Sequence, residues 1–92
     1  MLSKIPIDFE KIGQENVERE ILRVGIIAEY DAINLYEQMA GYAGDEKIKK
    51  ILLDIAREEK AHVGEFQTLL LEKDGEMKKE IEKGAEEVNE LT

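Results

Sequence analysis

Two long stretches of helical periodicity, separated by a short break that contains glycine, constrain the fold of this 92-residue chain more than any other feature. Apolar residues spaced mostly by three and four lie on one face of an α-helix. The apolar-face residues of the first stretch are Val17, Ile21, Val24, Gly25, Ala28, Ala32, Leu35 and Met39. The second stretch runs from Ile48 to Leu70 with similar spacing. The sequence therefore predicts two amphipathic helices, the first of them capped by Asn16.

The break between the two stretches is short enough for a tight hairpin. Gly41 and Gly44 can end the first helix, and the Asp45 carboxylate can cap the backbone N–H groups at the start of the second. The second helix is predicted to end near residues 73–75, where an aspartate and a glycine occur. A short connection of this kind places two helices side by side in antiparallel directions.

The two ends of the chain carry other patterns. Residues 1–15 contain Pro6 and scattered apolar residues without a helical or strand period, which predicts an extended N-terminal arm. Residues 74–92 are strongly acidic, and their apolar residues are Met77, Ile81, Ala85, Val88 and Leu91. The expected organisation is all-α, with an arm at 1–15, a helical hairpin at 16–73 and a short amphipathic helix at 74–92.

Charge and composition exclude several classes of function. The formal net charge is -9, and the basic residues are interspersed with acids, so binding to nucleic acid or to an anionic membrane surface is disfavoured. The absence of cysteine excludes disulfides, thiolate metal sites and cysteine nucleophiles. The first residues lack a signal-peptide pattern, and no stretch approaches the length of a membrane span. We therefore expect a cytoplasmic protein whose small partners are cations.

Three ionisable residues fall within the apolar faces of the two predicted helices. A helical wheel places Glu59 and His62 inside the apolar arc of the second helix and Glu29 inside that of the first. An ionised carboxylate in an apolar core costs several kcal/mol, roughly, unless it is paired, hydrogen-bonded or bound to a metal ion. These three positions therefore require a compensating group.

The spacing of these residues brings them to one level of the hairpin. Glu29 lies about fifteen residues before the turn at Gly44 and Glu59 about fifteen residues after it, so antiparallel helices place them opposite each other. In the pattern Glu59-x-x-His62, the two side chains are neighbours on one helix face. The sequence thus predicts that all three side chains converge.

A glutamate from one helix and a Glu-x-x-His pair from the next form half of the di-iron pattern of four-helix bundles. Only one set is present, because His62 is the sole histidine. A two-fold dimer of hairpins supplies the second set and completes the bundle. Carboxylate and imidazole ligands suit iron or manganese, and zinc is a further possibility.

Two simpler interpretations stay open at this point. A lone Glu-x-x-His pattern arises by chance in helices rich in glutamate, and His62 can be a core histidine satisfied by Glu29 or Glu59 without metal. Tyr36 lies two turns from Glu29 on the same face, where it can hydrogen-bond a ligand carboxylate or simply fill the core. If His62 is a core histidine without metal and Tyr36 only fills the core, the chain is a structural helical module.

Residues 28–36 (AEYDAINLY) followed by residues 57–62 (REEKAH) resemble the encapsulated ferritins, short ferritin-like proteins housed inside encapsulin shells. This resemblance implies a ferroxidase centre at a dimer interface that oxidises Fe(II) to Fe(III) with dioxygen. It also implies that Glu59 bridges two irons, that Glu29 and His62 are terminal ligands, and that Tyr36 lies beside the centre.

The resemblance further implies how such a chain assembles. The proteins that it resembles form a ring-shaped decamer, a pentamer of dimers, inside an encapsulin nanocompartment in the cytoplasm. Members made as separate chains often carry a docking tail rich in glycine and leucine, which this sequence lacks, so we expect it to derive from a fusion to the shell protein. The alternative enzyme is a rubrerythrin-like di-iron peroxidase that uses the same ligands, and the non-enzymatic alternative is a helical cargo module.

Overall fold

A computed structural model of the chain describes residues 16–92, which form three α-helices. Helix α1 spans Val17–Tyr42, α2 spans Glu46–Lys73 and α3 spans Gly75–Leu91. No strand occurs among residues 16–92, and the predicted all-α fold of a hairpin plus a C-terminal helix is confirmed. The extended arm predicted for residues 1–15 lies outside the described residues.

Helix α1 begins where it was predicted to begin, but the chain leaves it differently. Asn16 occupies the N-cap position, with φ -102° and ψ -7°, and its side chain makes no capping hydrogen bond. Gly41 lies inside the helix, and no glycine among residues 16–92 has a positive φ. The prediction that glycines end the helix is therefore wrong. The helix ends because Ala43 turns to extended backbone (φ -66°, ψ 125°), and its N–H donates to the Met39 carbonyl at 3.0 Å.

Aspartates cap the other two helices. Asp45 Oδ1 accepts hydrogen bonds from two backbone N–H groups in the first turn of α2, at 2.8 and 3.0 Å, which confirms the predicted cap. Asp74 caps α3, where it accepts from the Met77 N–H at 3.0 Å. This backbone hydrogen bond, with the Arg23 guanidinium beside it, holds the pKa of the Asp74 carboxyl below its usual value. The Asp74 cap is therefore ionised at neutral pH.

Helices α1 and α2 pack against each other in antiparallel directions. Near one end of the hairpin, Glu18 pairs with Lys73 at 2.9 Å, and towards the other end Glu37 pairs with Lys60 at 3.1 Å. Two helices make a single layer, so few side chains are enclosed. The buried apolar residues are Ile33, Ala40, Ala56, Val63 and Leu70.

A glycine allows the two helices to approach closely near the middle of the hairpin. The Phe66 ring of α2 lies over Gly25 of α1, and a Cβ atom at Gly25 would lie 3.3 Å from three ring carbons. Contacts that short force the ring to shift, because helix interfaces are closely packed. The glycine therefore makes room for the ring at a position where glycine alone weakens a helix.

Substitution of this glycine tests the packing. Gly64→Ala, at a position on α2 where an added Cβ meets nothing within 4 Å, should raise stability by about 0.5–1 kcal/mol, as glycine replacement in helices does. Gly25→Ala should not raise stability in this way, because the Phe66 ring must move to make room for the added Cβ atom. Thermal melting of both variants and the parent at one protein concentration measures the difference. Equal stabilisation by both alanines would show that Phe66 does not pack on Gly25.

Candidate metal centre

The three ionisable residues of the apolar faces meet at the middle of the hairpin. Glu29 projects from α1, and Glu59 and His62 project from consecutive turns of α2. One potential ligand atom from each residue lies within 4.8 Å of the others. The structure thus brings together the three residues that sequence spacing predicted to converge. Their role as metal ligands stays a prediction.

The imidazole of His62 lies between the two carboxylates. His62 Nδ1 is 3.5 Å from Glu29 Oε2 and 3.5 Å from Glu59 Oε2. Hydrogen bonds between charged partners are shorter, about 2.7–2.9 Å. Neither 3.5 Å distance is therefore a charge-assisted hydrogen bond. The two glutamate side chains are 18% and 20% exposed, whereas the imidazole is 43% exposed. The site is therefore embedded on the carboxylate side and open on the imidazole side.

One carboxylate oxygen in this cluster has no hydrogen-bond partner in the part of the chain that the structure describes. Glu29 Oε2 is buried and accepts no hydrogen bond from any residue of the described part. Buried polar atoms are nearly always satisfied by protein, water or an ion. The unpartnered oxygen, the nearby second carboxylate and the adjacent imidazole nitrogen together fit a divalent cation that accepts oxygen and nitrogen ligands.

Among residues 16–92, basic side chains do not neutralise the cluster. Lys60 follows Glu59 in the sequence but pairs with Glu37, and Arg57 pairs with Asp54 at 2.9 Å. Within residues 16–92, neither Glu29 nor Glu59 forms an ion pair with a lysine or an arginine. The compensating charge that two embedded carboxylates require is therefore not supplied by these residues.

The cluster lies at the midpoint of both long helices. Glu29 is the thirteenth of the 26 residues of α1, and Glu59 is the fourteenth of the 28 residues of α2. Because both helices continue for three turns or more on either side, the site is held by regular helix rather than by loops. The site is therefore about equally far from the turn end and from the open end of the hairpin.

An exposed apolar stripe extends from the site towards both ends of the hairpin. It combines residues of α1 and α2 that share the helical spacing of the three site residues. Its large exposed members, with their exposed fractions, are Ile21 (47%), Met39 (38%), Ile48 (56%), Ile51 (60%) and Leu69 (49%). Exposed apolar residues that share one face of a helix pair are typical of an interaction site.

Tyr36 is partly buried on α1, two turns from Glu29. No hydrogen bond joins its hydroxyl to either site glutamate within the described part of the chain, so its place beside the centre stays a prediction. Sequence reasoning did not predict the contact between Phe66 and Gly25 beside the site. Phe66 lies one helical turn from His62, and it packs on Gly25, one turn from Glu29. A glycine inside an apolar stripe was the available signal for this close approach.

Comparison with known proteins agrees with this architecture. The sequence profile of the rubrerythrin family matches residues 20–91. Over 73 residues the chain is 68% identical to a protein of Pyrococcus furiosus described as a ferritin-like-encapsulin shell fusion protein. The match covers 79% of this chain and 21% of that relative, so this chain spans about a fifth of its length.

A solved structure matches the whole fold. The crystal structure of the encapsulated ferritin domain from Pyrococcus furiosus superposes with a TM-score of 0.85 at 58% sequence identity, and the match covers 100% of this chain and 96% of that domain. No helix among residues 16–92 is long and apolar enough to cross a membrane. By the profile match and these two similarities, the chain belongs to the rubrerythrin family and groups with the encapsulated ferritins.

Proposed function

We propose that this protein is a ferroxidase that oxidises Fe(II) to Fe(III) at a di-iron site completed by two subunits. The observation that carries the proposal is the convergence of Glu29, Glu59 and His62 around an unpartnered, buried carboxylate oxygen. Ferrous iron accepts the oxygen and nitrogen ligands that these side chains offer. In this proposal iron is the substrate, and the three residues hold it.

The exposed apolar stripe of the hairpin supports a site made by two chains rather than by one. One chain supplies three ligand side chains, whereas a di-iron carboxylate site in a four-helix bundle uses two such sets. Since Glu29 and Glu59 lie at the midpoints of their helices, a two-fold axis through the site lets two antiparallel hairpins overlap along their full length. In that arrangement the part of each exposed stripe near the α1–α2 turn packs on the part of the other stripe near the start of α1 and the end of α2.

The proposed reaction follows from holding two ferrous ions side by side. Each ion gives up one electron, and dioxygen accepts two electrons and two protons to become hydrogen peroxide. The carboxylates of Glu29 and Glu59 stabilise the added positive charge of the ferric products more than that of the ferrous substrates. We assign Glu59 as the bridging ligand, Glu29 and His62 as terminal ligands, and Tyr36 as a residue beside them.

Removal of the central carboxylate tests the assignment. Glu59→Gln should lower the initial rate of ferric absorbance, after anaerobic loading with Fe(II) and exposure to air, by at least about ten-fold, since even residues that only support a ligand have effects of that size. Glu58→Gln is the matched control, because it removes the same charge from an exposed neighbour on the same helix. An unchanged rate in Glu59→Gln would overturn the site assignment.

A charge placed on the exposed stripe tests the shared site. Ile51→Glu should dissociate the dimer and abolish ferroxidation together, because a buried unpaired carboxylate opposes association. Leu53→Glu introduces the same charge at a position that is 41% exposed on another side of α2, and it should retain both properties. Sedimentation velocity and iron oxidation measure the two effects. Full activity in a monomeric Ile51→Glu protein would contradict a site made by two subunits.

The family match favours one alternative enzyme. A rubrerythrin-like peroxidase would use the same three residues with hydrogen peroxide as oxidant, and comparison of iron oxidation rates with peroxide and with dioxygen separates the two. These 92 residues contain no cysteine, so they do not themselves form a rubredoxin-type iron centre that would pass electrons to such a site. The other alternative, a helical cargo module without catalysis, predicts a metal-free protein whose stability is unchanged by added iron.

The proposed setting is an encapsulin nanocompartment in the cytoplasm. The relative from Pyrococcus furiosus is described as a fusion of a ferritin-like part with an encapsulin shell, and the matching crystal structure is of an encapsulated ferritin domain. We propose that this chain likewise works with an encapsulin shell protein, which stores the ferric product. A decameric ring of five dimers is the proposed assembly, on the basis of the resemblance to encapsulated ferritins.

A further inference from the structure

The corner between α2 and α3 is a joint of one residue. Lys73 ends α2, Gly75 begins α3, and Asp74 alone separates them with φ -136° and ψ 88°. Rotation about the two backbone dihedrals of a single residue swings a whole helix. The direction of α3 relative to the hairpin therefore depends on what holds this residue.

Side chains from the first two turns of α1 hold the joint. Arg19 Nε donates a hydrogen bond to the Lys73 carbonyl oxygen at 3.0 Å, and Arg23 Nη2 donates to Asp74 Oδ2 at 3.0 Å. Glu18 pairs with the Lys73 ammonium at 2.9 Å. These contacts join residues more than fifty positions apart in the sequence, on both sides of the point where α2 ends.

The Asp74 carboxylate links α1 to the start of α3, directly after the end of α2. Oδ2 accepts from Arg23 of α1, while Oδ1 accepts from the Met77 N–H in the first turn of α3. The residue is only 8% exposed, and its own carbonyl oxygen accepts the Lys78 N–H at 3.1 Å. A carboxylate bound at both oxygens has a fixed orientation, so the start of α3 is oriented by α1.

Apolar packing does not fix the direction of α3 in the same way. Met77 and Ile81 line a cleft against α1 and α2, but Met77 is already 39% exposed. Further along the helix, Val88 is 59% exposed and Leu91 is 87% exposed. Beyond its first two turns, α3 therefore has little contact with the hairpin of its own chain.

We propose that the first two turns of α1 act as a clasp that fixes the direction of α3, with Asp74 as its joint and Arg19 and Arg23 as its two arms. Release of the clasp changes how α3 is presented while the hairpin stays intact. Because Arg23 lies more than one helical turn from Glu29, the proposal is independent of the metal centre.

Distances between spin labels test the clasp, and the absence of cysteine lets labels be placed at chosen positions. One pair, Lys50→Cys with Glu87→Cys, reports the direction of α3 against α2. A second pair, Gln38→Cys with Glu65→Cys, reports on the hairpin alone, because both positions are exposed on α1 and α2 away from the joint. Labelled chains are diluted with excess unlabelled chains, so that each assembly carries one labelled copy.

We expect one narrow distance peak for both pairs in the parent protein. Arg23→Gln and Asp74→Asn should each abolish the narrow peak of the α3 pair and leave the hairpin pair unchanged. Arg57→Gln is the matched control, because it breaks an exposed arginine–aspartate pair at 2.9 Å and should leave both peaks unchanged. A narrow α3 peak in both clasp variants would overturn the proposal. So would a broadened hairpin peak in these variants, because the change would then not be confined to α3.

Discussion

Two carboxylates and an imidazole lie in the middle of a helix pair whose surrounding side chains are apolar, and the structure is organised around that constraint. Within residues 16–92, Glu29 Oε2 is buried without a hydrogen bond, and no lysine or arginine pairs with Glu29 or Glu59. The remaining requirement is a positive charge, which a divalent cation would supply under the proposed function.

The open stripe and the incomplete site have one common explanation. A single layer of two helices buries five apolar residues and leaves large ones such as Ile48 and Ile51 more than half exposed. Small proteins with cores this thin commonly depend on oligomerisation or metal. In the proposed dimer, a second hairpin on the same face would cover the stripe and bring a second ligand set, which would couple assembly, stability and metal binding.

Sequence pattern predicted the parts of the fold that depend on local periodicity. The apolar spacing predicted both long helices, and Asp45 was predicted as the cap of the second. Ionisable residues at apolar positions predicted that Glu29, Glu59 and His62 converge. Glycine alone did not predict the end of α1, because Ala43 ends it in extended backbone. The Arg23 contact with Asp74 also escaped prediction, since it joins residues 51 positions apart whose meeting depends on how three helices pack.

The central claim is that two copies of this chain hold metal between them, and a crystal soaked anaerobically with Fe(II) tests it most directly. Anomalous scattering at the iron edge should give two neighbouring peaks across a two-fold axis, each in contact with Glu29, Glu59 and His62 side chains drawn from both copies. Peaks confined to surface acids, or hairpins too far apart for their Glu59 side chains to contact a common ion, would contradict the account.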